Sequence, residues 1–103
     1  MVDVTGRSSA AIETVAGGVT APLGFRSAAV HCGIKAKSGA LDLPVLAADA
    51  AVAAAGLFTT TLAPAAPGVV SRQHLERSAG RMRAIVVNSG CANACTGSRG
   101  MQD

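Results

Sequence analysis

The chain has 103 residues, half of them hydrophobic with much of that alanine, only two phenylalanines, no tryptophan or tyrosine, and a net charge of +3. A single domain fits this length, but alanine buries little area and burial stabilises by roughly 25 cal/mol per Å², so the composition makes for a thin core that gains from packing against further protein. The nine Lys and Arg are scattered, and their densest group, Arg72, Arg77, Arg81 and Arg83, is interrupted by Glu76 without interleaved aromatics, which excludes a nucleic-acid stripe and leaves a solvated face.

Residues 1–16 read as a polar N-terminal tail, and Met1 to Ala10 lacks the charged-then-apolar layout of a signal peptide. Gly17 to Gly24 holds glycine or proline at half its positions and reads as a loop. Phe25 to Ile34 is predicted to be a strand broken near Gly33, because no 3.6-residue stripe appears. Lys35 to Gly39 is a charged turn. The next two apolar runs, Leu41 to Ala48 and Ala51 to Thr60, are separated by Asp49. Alanine would suit helices there, but Pro44 in the first run and the Leu57-Phe58-Thr59-Thr60-Thr61 cluster in the second favour two strands. The longest apolar stretch, Leu43 to Phe58, contains Pro44 and Asp49 and falls short of the roughly 20 residues of a spanning helix, so no membrane segment is expected.

After Pro64 and Pro67 a helix is predicted over Val69 to Arg77, with Val70 and Leu75 on neighbouring faces and proline in the first turn. Ser78 to Arg81 closes it with Gly80, and Ala84 to Val87 is a short continuous apolar run of the kind that forms a buried strand. Several short strands with one or two helices give an α+β class. Cys32, Cys91 and Cys95 are an odd set without a secreted scaffold's pattern, and a reducing cytoplasm is the simplest compartment.

The segment Asn88-Ser89-Gly90-Cys91-Ala92-Asn93-Ala94-Cys95-Thr96-Gly97 follows the last strand directly. Its small residues let a backbone bend closely around a ligand, and strand ends of this kind often carry function. Thr96 suits a helix N-cap, so Gly97 and its successors would offer unpaired N–H groups at a helix start. Fixed donors of that kind stabilise a developing oxyanion by about 2.7 to 4 kcal/mol each. The residues alone leave both readings open, a simple cap or a carbonyl-polarising turn.

Asn88 to Gly97 closely resembles the signature of the ornithine acetyltransferase family, the bifunctional glutamate N-acetyltransferases of arginine biosynthesis. Gly18-Val19-Thr20-Ala21-Pro22, Gly24-Phe25-Arg26, Gly33-Ile34-Lys35, Ala54 to Thr60 and Ala65-Ala66-Pro67 fall in the family's order and approximate spacing. The resemblance covers about residues 17–103. It implies the N-terminal portion of a larger mixed sandwich similar to N-terminal-nucleophile enzymes. There a precursor cuts itself before a threonine, whose hydroxyl becomes the nucleophile and whose freed α-amino group serves as base.

That threonine takes acetyl from N-acetylornithine and passes it to glutamate, and the matching Thr96 and Gly97 are assigned the oxyanion hole, through a hydroxyl and a backbone N–H. The implied partners are these two small substrates and the C-terminal portion, in a hetero-oligomer of cleaved chains, with no cofactor. Cys91 stands where the family commonly has Asn, Leu23 where it has Lys, and Thr61-Leu62-Ala63 replaces a more polar stretch. The family's cleavage segment, nucleophile and substrate-binding residues match positions beyond Asp103. No nucleophile is therefore expected in residues 1–103, which should be inactive alone. The alternative, from another class, is a non-catalytic remnant or interaction module of the same fold.

A metal site from Cys91 and Cys95 with His31 or His74 is not expected, because the spacing lacks the usual paired ligands. Buried thiols lining a turn are the simpler reading, and a nucleophilic role would require a neighbouring base or cation. His74 reads as a surface residue and His31 as strand-borne and structural. Gly17-Gly18 completes neither a dinucleotide fingerprint nor a phosphate loop. Arg26 is a candidate either for a substrate carboxylate or for a structural acid.

Overall fold

The structure, a computed structural model, describes residues 13–103, so most of the polar tail read at residues 1–16 lies outside the described residues. Three strands form an antiparallel sheet in chain order: β1 (Phe25–Val30), β2 (Leu43–Ala53) and β3 (Arg81–Val86). One helix, α1 (Ala66–Arg77), lies between β2 and β3 in sequence, and a 3₁₀ turn covers Arg99–Met101. The α+β expectation is met at this level.

The apolar runs expected as two strands, Leu41 to Ala48 and Ala51 to Thr60, are instead one 11-residue strand that stops at Ala53. The reason is an irregularity at the supposed boundary. Between the Ala47–Ala84 and Val52–Met82 pairs, β2 takes five residue steps to the two of β3. Such a bulge bends a strand without ending it, so Asp49 sits on the bulge and not in a turn. Residues 54–60 carry no strand and run on toward α1.

Proline stands in the first turn of α1, where a missing N–H costs nothing. The C-terminal end is closed by backbone bonds, with the N–H of Gly80 donating to Leu75 O at 2.9 Å and that of Ala79 to Glu76 O at 3.1 Å. His74 and Arg77 lie in the last turn, where the helix dipole favours cations.

The register makes both sheet faces apolar. Phe25, Ala29, Leu46, Ala48 and Ile85 share one face, and Ala28, Val30, Val45, Ala47 and Val86 the other, since neighbours along a strand point oppositely. A sheet of this kind requires a layer on each side. Among the described residues the burial is slight: the buried hydrophobic side chains are Ala48 and Ala66, whereas Ile85 is 59% and Val86 63% exposed and Leu57 and Leu62 are fully exposed. The radius of gyration is 17.9 Å, against about 13 Å for a compact chain of 100 residues. The thin core expected from composition is thus realised. No helix among the described residues is long and apolar enough to cross a membrane.

Candidate functional site

The segment after β3 is tied to the start of β2 by two bonds. The Val87 N–H donates to Pro44 O at 3.0 Å, and the Ser89 N–H to Asp42 O at 2.9 Å. The loop then closes on its own amides. Asn88 Nδ2 donates to Cys91 O, and Asn93 Nδ2 to Asn88 Oδ1, both at 2.7 Å. At the far end Cys95 and Gly97 both have φ of +57°. A left-handed conformation costs a non-glycine residue about 1–2 kcal/mol, so Cys95 is held there by its surroundings.

Thr96 and Gly97 therefore lie on a sharp exposed turn. The structure corrects the expected role of Thr96 as a helix N-cap. The only helical element that follows is the three-residue 3₁₀ turn, its cap position belongs to Ser98, and no side chain bonds there. Thr96 contributes its carbonyl instead, accepting the Gly100 N–H at 3.3 Å. Among the described residues, the backbone N–H groups of Gly97, Ser98 and Arg99 donate to no protein acceptor. The two left-handed residues bend the chain around this run of donors, in an exposed segment.

Beneath the segment lies a group that sequence reasoning missed. Asp42 is fully buried. Its Oδ1 accepts the Cys32 N–H at 2.8 Å and the Cys32 thiol at 3.2 Å, and its Oδ2 accepts the Lys35 N–H at 3.0 Å. His31 Nδ1 stands 3.2 Å from the same Oδ2 and 2.9 Å from Ala40 O. The Cys32 N–H foremost, with those of Lys35 and the thiol, holds the Asp42 carboxyl well below the usual carboxylate range, against the opposing effect of burial. Asp42 thus fixes the loop 31–35 with its side chain and Ser89 with its backbone. Lys35 completes the link: its Nζ donates to Leu41 O at 2.9 Å, and its stem covers Gly90. A Cβ on Gly90 would stand 2.6 Å from Lys35 Cγ, and Gly90 has φ of +106°, so both space and backbone require glycine.

The same contact silences a thiol. The hydrogen bond to the Asp42 carboxylate, then desolvation and the carboxylate charge, push the Cys32 pKa up. Alkylation of Cys32 by iodoacetamide at pH 8 is expected to be slower in the wild-type protein than in Asp42→Asn, because only the thiolate reacts. Peptide-resolved mass spectrometry reads both rates, and equal rates would disprove the coupling.

His31 belongs to this cluster, and the other candidates stand apart from it. His31 follows β1 and is not strand-borne, because the chain turns off the sheet to reach Asp42. Cys91 and Cys95 are exposed, not buried, since the loop they line is itself at the surface. Arg26 has its acid: Nη2 lies 2.9 Å from Asp49 Oδ1, both side chains well exposed. The Arg83 guanidinium donates to Asp49 O at 3.2 Å, and that of Arg81 to Ala51 O, so three arginines converge on the β2 bulge. Among the described residues no three His, Cys, Asp or Glu side chains gather as a metal would require. His74 is exposed on α1 and borders an open groove of about 670 Å³ that runs between α1 and the sheet, lined chiefly by Phe25, Leu46, Val52, Leu75, Met82 and Ile85.

Known proteins are similar to this chain in sequence and fold. The bifunctional arginine biosynthesis protein ArgJ of Symbiobacterium thermophilum is 48% identical over 93 residues, which are 89% of this chain and 23% of that protein. ArgJ of Mycobacterium tuberculosis is 53% identical over 87 residues, 84% of this chain and 21% of that protein. The chain spans about a fifth of the length of these curated relatives. Two crystal structures superimpose on it. One is ArgJ from Bacillus halodurans, with a TM-score of 0.74 and 35% identity, covering 84% of this chain and 44% of that one. The other is an ornithine acetyltransferase from Mycobacterium tuberculosis complexed with ornithine, with a TM-score of 0.73 and 52% identity, covering 82% of this chain and 43% of that one. The family model described as ArgJ matches residues 26–103, and the chain belongs to the ArgJ family.

Proposed function

We propose that residues 17–103 form the N-terminal part of a glutamate N-acetyltransferase that moves acetyl from N-acetylornithine to glutamate, with Thr96 and Gly97 supplying its oxyanion hole. The observation that carries this reading is the exposed turn at Cys95–Arg99, where a hydroxyl and three backbone N–H groups that meet no acceptor among the described residues lie in a chain of this family. A threonine hydroxyl outside residues 1–103 attacks the acetyl carbonyl, and its proton passes to the α-amino group of that same residue. The carbonyl oxygen takes the negative charge and accepts hydrogen bonds from Thr96 Oγ1 and the Gly97 N–H. Collapse of the intermediate releases the ornithine amine, which takes up the proton, and leaves an acetyl ester. The glutamate amine then attacks this ester through an intermediate of the same geometry.

Coverage supports a cleaved precursor. The chain covers 21% of the Mycobacterium tuberculosis ArgJ protein but 43% of the solved chain from that organism, so the solved chain is about half as long as the protein. Two cleaved chains assembled as a hetero-oligomer in the cytoplasm, without a cofactor, complete the proposal. Residues 1–103 on their own are expected to transfer no acetyl from N-acetylornithine to glutamate, while the complete enzyme does. Turnover by the isolated 103 residues above the buffer blank would refute the division of labour.

The open groove favours one other reading, an interaction module of the same fold that covers its apolar surface with a partner. A complete protein that binds such a partner and shows no acetyl transfer would support it over the enzyme.

A further inference from the structure

Gly100 occupies the middle of the 3₁₀ turn Arg99–Met101. A Cβ built on it would stand 1.9 Å from Thr96 Oγ1, 2.5 Å from Thr96 Cβ and 3.3 Å from the Cβ of Ala66. The φ of Gly100 is not among the positive values of the chain, so its conformation is open to any residue and the close approach alone demands glycine. The backbone ties the same pair, through the Gly100 N–H and Thr96 O. Ala66, the first residue of α1, is buried beside them. The Thr96 side chain rests on a bare Cα, and the Cβ of Ala66 borders the same space that a Gly100 methyl would enter.

We infer that Gly100 is a positioning residue for acetyl transfer, fixing the Thr96 hydroxyl at the oxyanion by leaving it room and acting through that side chain alone. This rests on the oxyanion-hole reading above. A group displaced by about 1 Å from its productive geometry loses on the order of 100-fold in rate. The added methyl of Gly100→Ala forces a displacement of that order, since its distance to Oγ1 is far inside van der Waals contact.

The test uses the complete enzyme, with kcat and KM measured for acetyl transfer from N-acetylornithine to glutamate. Gly100→Ala is expected to lower kcat by roughly 10- to 100-fold while KM stays within about two-fold. Thr96→Gly removes both side-chain atoms that the new methyl would overlap and leaves the Cβ of Ala66 at 3.3 Å. In that background Gly100→Ala is expected to change kcat by less than about two-fold, because residues acting as one unit are not additive. An equal loss in both backgrounds makes Gly100 a general structural residue and overturns the inference. So does a wild-type kcat for Gly100→Ala while Thr96→Gly is slow, which leaves the oxyanion reading standing. A wild-type kcat for Thr96→Gly overturns both. If Gly100→Ala does not fold, Thr96→Gly/Gly100→Ala must fold as Thr96→Gly does, and failure of that pair also overturns the inference.

Discussion

Replacing Asp42 with asparagine is expected to lower the melting temperature of the complete enzyme by roughly 10 °C at pH 7. The side chain is fully buried and receives donors on both oxygens, from Cys32 on one and Lys35 on the other. An asparagine keeps one acceptor oxygen and turns an NH₂ toward the second backbone donor, leaving that N–H unpaired and facing another donor. The pH dependence has a definite sign. The folded carboxyl is held below its ordinary value, so its contribution is complete above about pH 5 and is lost as pH falls below the ordinary carboxylate range toward the depressed folded value. The gap between wild type and Asp42→Asn should therefore narrow on acidification. Thermal unfolding between pH 3 and 7 reads both features. A variant melting within about 2 °C of wild type at pH 7 would show that the loop 31–35 does not depend on this carboxylate.

That residue also shows where the sequence stops being readable. Asp42 lies between Leu41 and Leu43 and resembles any acid at a strand entry. Its partners are backbone N–H groups seven and ten residues away, and backbone donors leave no trace in residue type. Asp49 misled for a related reason. A charge inside an apolar run reads as a boundary, but here its carboxylate meets Arg26 and its carbonyl meets Arg83, 34 positions on. By contrast, β1, β3 and α1 were legible in place, with Pro67 in the first turn of the helix and the Ser78–Gly80 turn closing it, but not in their bounds: β1 stops at Val30 and not Ile34, α1 starts at Ala66 and not Val69, and β3 runs Arg81–Val86 and is largely exposed, not a buried Ala84 to Val87.

The turn at Thr96 was singled out by its signature and not by its local geometry. Thr96 has the chemistry of an N-cap, yet only a single 3₁₀ turn follows and Ser98 holds the cap position. Two left-handed residues, Cys95 and Gly97, shape the turn, and only the glycine announces itself. Asn88 and Asn93, which close the loop, are visible as residues but not as a pair until their amides are seen 2.7 Å apart. Gly100 looks like a helix-end glycine until Thr96 is placed against it. The apolar faces of the sheet call for a layer on each side.

The role of Thr96 carries the largest expected effect on activity. Loss of one oxyanion donor costs about 10²- to 10³-fold in kcat, because the hydrogen bond is strongest when the oxygen is fully charged and weak to the ground-state carbonyl. Thr96→Ala removes the hydroxyl and keeps the backbone, leaving Gly97 as the surviving donor. Thr96→Ser keeps the oxygen, so it separates loss of the donor from loss of packing. KM should move little in either variant, since neither changes ground-state contacts with N-acetylornithine. The most direct measurement is kcat for acetyl transfer by the complete enzyme carrying Thr96→Ala. A fall of about 10²- to 10³-fold, with Thr96→Ser within about 10-fold of wild type, is expected if residues 17–103 supply the oxyanion hole; a Thr96→Ala enzyme within about three-fold of wild type would contradict it.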